Sequence, residues 1–297
     1  MAVDKDFYNE ASADKLGWSP NWFIPGYYLF DRKLQNAIRL FQKSYRLAAD
    51  GMCGPTTYRR VLAQVESQLI SVAEQSVKEG SDVLWYNGNP INIDWPKDKV
   101  RTFKDSDFNF PISKGFTKYS RKRTVKSFVN HWDVCLSSMS CAKVLAKRNV
   151  SVHFCIDNDG TIIQLHDINE ACWHAGNSKV NHSSVGVEIS NAYYPKYQSW
   201  YKRNVGKERP MMEGALAQNK PLKPFMWFYP EQIEALKVLW KAIHEGCGVP
   251  LKSPAEKWAY DKVAAGGRFE GFMNHFHCSK KKIDVGGLDI EKLLLEV

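Results

Sequence analysis

The 297-residue sequence predicts an α/β protein, a mixed central β-sheet flanked by helices, preceded by a small all-α domain of three helices. Three observations carry that expectation. Before residue 70 the apolar residues recur at helical spacing. From Thr124 onward short alternating apolar segments interleave with helix-like ones, the pattern of strands and helices sharing one core. Between them lies a stretch rich in Asn, Asp, Pro and Lys. The expected division is residues 1–80, a transition over 81–124, and residues 125–297.

In the first part, Leu34, Ile38, Phe41 and Tyr45 mark one face of a helix, with Asp31 as its N-cap. Asp50-Gly-Met-Cys-Gly-Pro55 is a tight loop. A second helix follows, with Thr56 as cap and Tyr58, Val61, Leu62, Val65 and Leu69 on one face. Lys15–Trp22 is expected to form the module's first helix or to pack on it, and residues 70–80 to complete a polar helix. In the transition, Trp85, Ile91, Ile93, Trp95 and Val100 imply short strands rather than a disordered linker.

Beyond it, Val125–Asn130 is a short apolar strand ending at His131, and Met139–Lys147 is helix-like. Val152–Asp157 alternates as a strand, Asn158-Asp-Gly160 turns it, and Thr161–Leu165 returns. Val185–Ile189 is a further strand, and Glu231–Glu245 is an amphipathic helix through Ile233, Leu236, Leu239, Trp240 and Ile243. The Tyr-, Trp-, Lys- and Pro-rich segment 191–230 is expected as a loop beside a binding groove.

Charge and cysteines narrow the function classes. The net charge is +9. Residues 1–80 hold 10 Lys/Arg against 9 Asp/Glu, and the rest 31 against 23, so the excess lies in the larger part. A basic surface suits a polyanionic envelope, whereas no nucleic-acid-reading motif accompanies it and no nucleic acid is expected. The apolar runs are too short to span a bilayer, so no membrane insertion is expected. Met1–Tyr8 has no apolar core of a secretory signal, which implies synthesis in the cytoplasm, with help needed to reach any other compartment. Seven cysteines without CxxC spacing are expected as reduced thiols, mostly buried.

The chemistry concentrates in Val129-Asn-His131-Trp-Asp133 and Asn274-His-Phe-His-Cys-Ser-Lys-Lys-Lys-Ile-Asp284. Two imidazoles and one carboxylate would hold zinc and leave a fourth position for water, the arrangement of a hydrolytic site. His131 and Asp284 are two of the candidate ligands. His275, nine residues before Asp284, is preferred as the third, with His277 and Cys278 as alternatives. Glu188, flanked by Val187 and Ile189, points away from the apolar face; desolvation there would suit it to take a proton from water. Lys282 could stabilise an oxyanion.

Two family resemblances follow from these motifs. Ala37-Ile38-x-x-Phe41-Gln42, followed by the Asp50-Gly-x-x-Gly-Pro55 loop, resembles the small three-helix peptidoglycan-binding domain over about residues 30–66. His131-Trp-Asp133, Ser151-Val-His-Phe-x-Ile-Asp-x-Asp-Gly160, Trp173-His-Ala-Gly-Asn177, Ser184-Val-Gly-Val-Glu188 and Lys282-Ile-Asp284 resemble the zinc-dependent N-acetylmuramoyl-L-alanine amidases of amidase-2 fold. That likeness covers about residues 125–295, and the family is related to animal peptidoglycan recognition proteins. It implies zinc on His131, His275 and Asp284, Glu188 as base and Lys282 as oxyanion stabiliser. It also implies Trp173, His174 and Asn177 as groove residues holding a muropeptide. Where some phage members carry a catalytic tyrosine, this chain has Val152. The implied protein is a monomeric, endolysin-like peptidoglycan hydrolase. The alternatives are a non-catalytic peptidoglycan-binding protein or a cytosolic wall-recycling amidase.

Overall fold

A computed structural model describes residues 4–25, 27–75 and 82–297, with backbone only over 66–75. The chain divides into two compact units, Met1–Lys78 and Glu79–Val297.

The first unit has three helices, α1 (Lys5–Leu16), α2 (Arg32–Ser44) and α3 (Pro55–Gln75). The Asp31 side chain caps α2, accepting from the backbone N–H groups of Lys33 and Leu34. Leu34 and Ile38 are fully buried beside Trp18 and Cys53. Helix α3 starts at Pro55, so Thr56 lies inside its first turn and is not its cap. Proline suits that first position because no partner is needed for its missing N–H. The expected helix beyond residue 75 falls outside the described residues.

The first helix is α1, earlier than expected: Lys15–Trp22 holds only its end, a Gly17 cap at φ 77° and a short 3-10 turn. Its buried face is polar, which hid it. Asn9 donates to the Gly51 carbonyl at 3.0 Å and accepts from the Cys53 N–H at 2.8 Å, while Ser12 donates to the Cys53 carbonyl. This helix docks on loop backbone, so no apolar stripe records it.

The second unit is built on a six-stranded sheet. Its strands, after the hairpin β1 (Val83–Tyr86) and β2 (Asn89–Asn92), are β3 (Val100–Thr102), β4 (Ser127–Trp132), β5 (Phe154–Ile156), β6 (Ile162–Gln164), β7 (Ser184–Ile189) and β8 (Gly271–Asn274). The order is β8-β4-β7-β5-β6-β3, parallel except between β5 and β6. Within the transition, residues 82–124 supply an edge strand, and Leu84, Tyr86, Ile93 and Val100 join the main core.

Alternation along the strands assigns the two faces. Phe128, Trp132, Val185, Val187, Phe154 and Ile156 share a core with Leu236, Leu239, Trp240 and Ile243 of helix α7 (Pro230–Cys247), counted after α4 (Ser138–Arg148), α5 (Ser178–Ser183) and α6 (Gln198–Asn204). Each such side chain contributes about 1.5–3 kcal/mol on full burial. The residues between them, Val129, His131, Gly186, Glu188 and Cys155, belong to the opposite face, where α4 packs through Cys141, Ala142 and Leu145.

The segment 191–230 is not a loop on the groove. It carries α6 and folds around Arg209, which is 3% exposed and lies 4.3 and 4.5 Å from the Tyr201 and Tyr229 rings. Its guanidinium donates to the Trp227 carbonyl, Gln232 Oε1 and the Ser190 carbonyl, so the aromatic residues form a packed layer.

Candidate active site

Strands β8, β4 and β7 run parallel, so their carboxyl ends open on one edge, where ligands bind in sheets of this kind. His131 and Glu188 are register partners there. Asn274 pairs with Asn130, so the next residue, His275, comes beside His131. Asp284 returns to the same point from the loop after the short helix α8 (His275–Cys278).

His131 Nδ1, His275 Nδ1 and Asp284 Oδ2 converge, at 2.9, 2.8 and 3.3 Å from one another. Their outer partners fix the tautomers. The Ser184 hydroxyl donates to the Val180 carbonyl at 2.7 Å, so it accepts from His174 Nε2 at 3.3 Å. His174 Nδ1 then accepts from His131 Nε2 at 3.0 Å, and His131 Nδ1 is left as a bare lone pair. His275 Nε2 likewise donates to the Ala175 carbonyl at 3.1 Å. With both rings neutral, two lone pairs and a carboxylate therefore face one point. A cation resolves that conflict; a tetrahedral ion with bonds of about 2.0–2.1 Å holds its ligand atoms about 3.3 Å apart. The donor set fits zinc, and the outer hydrogen bonds are the kind that orient metal-binding imidazoles.

The electrostatics agree. Burial, then His275, lowers the His131 pKa to about 4, so the ring is neutral and ready to ligate. Burial opposes charge on Asp284, but His275 and His131 outweigh it and hold the carboxyl well below its usual range. Glu188 is driven the other way, by burial first and then by Asp133 and Asp284. Its Oε2 is sealed from solvent and has no hydrogen-bond partner.

Residues 121–278 match the family described as N-acetylmuramoyl-L-alanine amidase. The chain belongs to that family. Residues 26–61 match the peptidoglycan binding domain. The amidase match ends before Lys282 and Asp284, which the fold nevertheless returns to the family's core strands. Among solved structures, AmpDh3 of Pseudomonas aeruginosa in complex with anhydromuramic pentapeptide is similar at 19% identity and TM-score 0.39, over 64% of each chain. The chain thus spans about two thirds of that protein's length. The endolysin N-acetylmuramoyl-L-alanine amidase LysCS of Clostridium intestinale is similar at 12% identity and TM-score 0.36, over 66% of this chain and 93% of that one. Drosophila peptidoglycan recognition protein SA is similar at 14% and 0.35, over 67% and 91%. No curated protein matches.

Within this amidase-family domain a cleft of about 350 Å³ is lined by His131, His275, Asp284, Glu188, His174, Trp173, Arg148 and Lys282, among others. Trp173 stands at its rim, 43% exposed, its indole donating to Thr117 Oγ1. Three expectations change. His174 lines the cleft, but both its ring nitrogens are engaged in the His131–Ser184 chain, so it positions a ligand. Asn177 does not line the cleft: its side chain caps α5 and donates to the Ala265 carbonyl at 2.8 Å. The alternatives at residues 277 and 278 fall away. His277 Nδ1 accepts from the Asn274 N–H at 2.9 Å, and Cys278 is buried against Met273; among the described residues only His131, His275 and Asp284 group as ligands.

Sequence reasoning missed the roles of Ser184 and Gly186. A Cβ on Gly186 would lie 2.7 Å from the His174 ring, so glycine there makes room for that imidazole. The signal was available. Ser184, Gly186 and Glu188 stand two apart on one face of β7, supplying an anchor, a space and an acid.

Proposed function

We propose that this chain is a zinc-dependent N-acetylmuramoyl-L-alanine amidase of endolysin type, cutting between the lactyl group of N-acetylmuramic acid and L-alanine. The observation that carries it is the convergence of His131 Nδ1, His275 Nδ1 and Asp284 Oδ2 to within 3.3 Å of one another. Zinc held there would lower the pKa of a water toward neutrality and polarise the scissile carbonyl.

The chain's own groups supply the rest. Glu188 lines the cleft beside His131, so its carboxylate can accept the proton of the attacking water and return it to the leaving amine. Lys282 lines the same cleft, where its ammonium can offset charge developing on the carbonyl oxygen. The Trp173 face at the rim offers a surface for sugar or peptide. The peptidoglycan-binding module would keep this cleft near its polymeric substrate by raising effective concentration.

A non-catalytic binding protein would have no use for an unpartnered carboxylate beside a metal-ligand set. Release of stem peptide with a free L-alanine amino group from purified sacculi, followed with elemental analysis of the protein, tests the proposal. Zinc near one equivalent and release abolished by a chelator are expected; release persisting after complete zinc removal would overturn it.

A further inference from the structure

The loop that carries Lys282 and leads to Asp284 is held by a hairpin that sequence reasoning had placed on the groove. Residues 216–217 pair with 220–221, leaving Gln218 and Asn219 as a two-residue turn. Both turn residues have positive φ, 55° and 56°, a conformation normally left to Asn and Gly. Glutamine has no conformational reason to occupy it, and an outlier of this kind invites a functional explanation.

Its side chain supplies one. The Gln218 amide nitrogen lies 3.0 Å from each of three carbonyl oxygens, those of Phe276, Ser279 and Lys282. These mark the start, the shoulder and the crest of one excursion between His275 and Asp284. The amide oxygen accepts from the Tyr260 N–H at 3.2 Å, and the Asn219 N–H donates to the Trp258 carbonyl at 3.0 Å, so the clamp is tied to the body of the domain. Past the loop, Gly286 lets the same hairpin come close: a Cβ there would lie 2.5 Å from Leu222 Cδ1 and 3.2 Å from Ala217 Cβ. The loop's own bonds are few. Lys282 N–H donates to the Ser279 carbonyl, and Phe276 N–H to the Asp284 carbonyl. The latter secures the base of the excursion and leaves its crest to Gln218.

We infer that Gln218 is a positioning residue of the active site, acting through the backbone of residues 276–282 to hold Lys282 over the cleft. This rests on the amidase reading for its catalytic consequence, though not for its structural one. Asp284 is separately fixed through its backbone, its carbonyl accepting from the Phe276 N–H at 2.8 Å, so zinc binding is not expected to depend on the clamp.

Two measurements on the full-length protein test it. The loop offers trypsin three consecutive exposed lysines, Lys280 to Lys282. In Gln218→Ala, and in Gln218→Glu, which keeps the oxygen facing Tyr260 but loses the donors, cleavage there should quicken about tenfold or more as local opening becomes easier. Asn219→Gly, which preserves the turn, should leave the rate alone. Unchanged cleavage in both Gln218 variants overturns the inference whether or not the protein is an amidase. In turnover, Gln218→Ala should lower kcat about tenfold at unchanged zinc content, and should cost nothing further in a Lys282→Met background, because the two act as one unit. Losses that multiply instead would mean a general structural role and would also overturn it.

Discussion

Two buried imidazole regions lie side by side on one face of the sheet, and they differ in what is left over. Around His153 both ring nitrogens are engaged: its Nδ1 accepts from the Gly186 N–H at 3.0 Å and its Nε2 donates to the Glu170 carbonyl at 2.7 Å, with Arg123 Nη2 3.1 Å from that same nitrogen. Around His131 the outer nitrogens are equally well met, but the inner ones and Asp284 remain unsatisfied acceptors opening on a cleft. Burial lowers the basicity of both histidines, with Arg123 adding to it at His153. Burial and a shifted pKa therefore do not distinguish a site from a support. Unspent hydrogen-bonding capacity facing open volume does.

That contrast can be broken in several ways. The largest effect is expected at Glu188. Replacing it with Gln should reduce kcat by about 10²–10⁴-fold, the usual worth of a general base, while zinc content stays near one equivalent. Near-normal turnover of muropeptide would remove it as the base. Next comes Asp284→Ala, which should weaken zinc by more than the roughly 10–100-fold typical of losing an outer-sphere partner, measured by competition with a chromophoric chelator. Full zinc retention would place the ion elsewhere.

On the supporting side, His153→Ala should leave zinc affinity unchanged. It should lower stability by about 1–3 kcal/mol, because the buried Gly186 N–H loses its acceptor. Chemical denaturation against zinc titration separates the two, and lost zinc binding with intact stability would reverse the contrast. The effect confined to acid pH concerns His277, whose pKa is lowered to about 4, chiefly by burial. Folded, the ring stays neutral where the unfolded ring protonates, so its contribution is complete above about pH 6.5 and is lost as pH falls toward 4. His277→Gln should reduce the acid-side slope of stability by about 1.4 kcal/mol per pH unit across that window. An unchanged slope would mean the ring titrates normally.

Much of this was legible in the chain, and the failures have a common cause. Glu188 was visible as a candidate base because it alternates against Val187 and Ile189 in a period-two strand. Helix α7 was visible because a long apolar stripe has few alternative uses. Helix α1 was not, because Asn9 and Ser12 bury it through hydrogen bonds to loop backbone. Asn177 was misplaced because an N-cap and a groove residue look alike in a loop motif. The segment 191–230 was misplaced because aromatic and basic residues mark a binding surface as readily as a buried cation stacked between tyrosines.

By itself the sequence determined the elements, the sheet-plus-helix architecture and the pool of ligand-type residues, since periodicity and residue chemistry are local properties. Only the tertiary structure decided between His275 and His277. Two residues apart on one short helix, one imidazole meets Asp284 and the other turns back to its own strand's N–H. It also decided that His174 serves His131 and that Gln218 reaches the Lys282 loop. Those roles depend on where groups distant in the chain place their lone pairs and protons, and spacing along one strand of sequence does not encode that meeting.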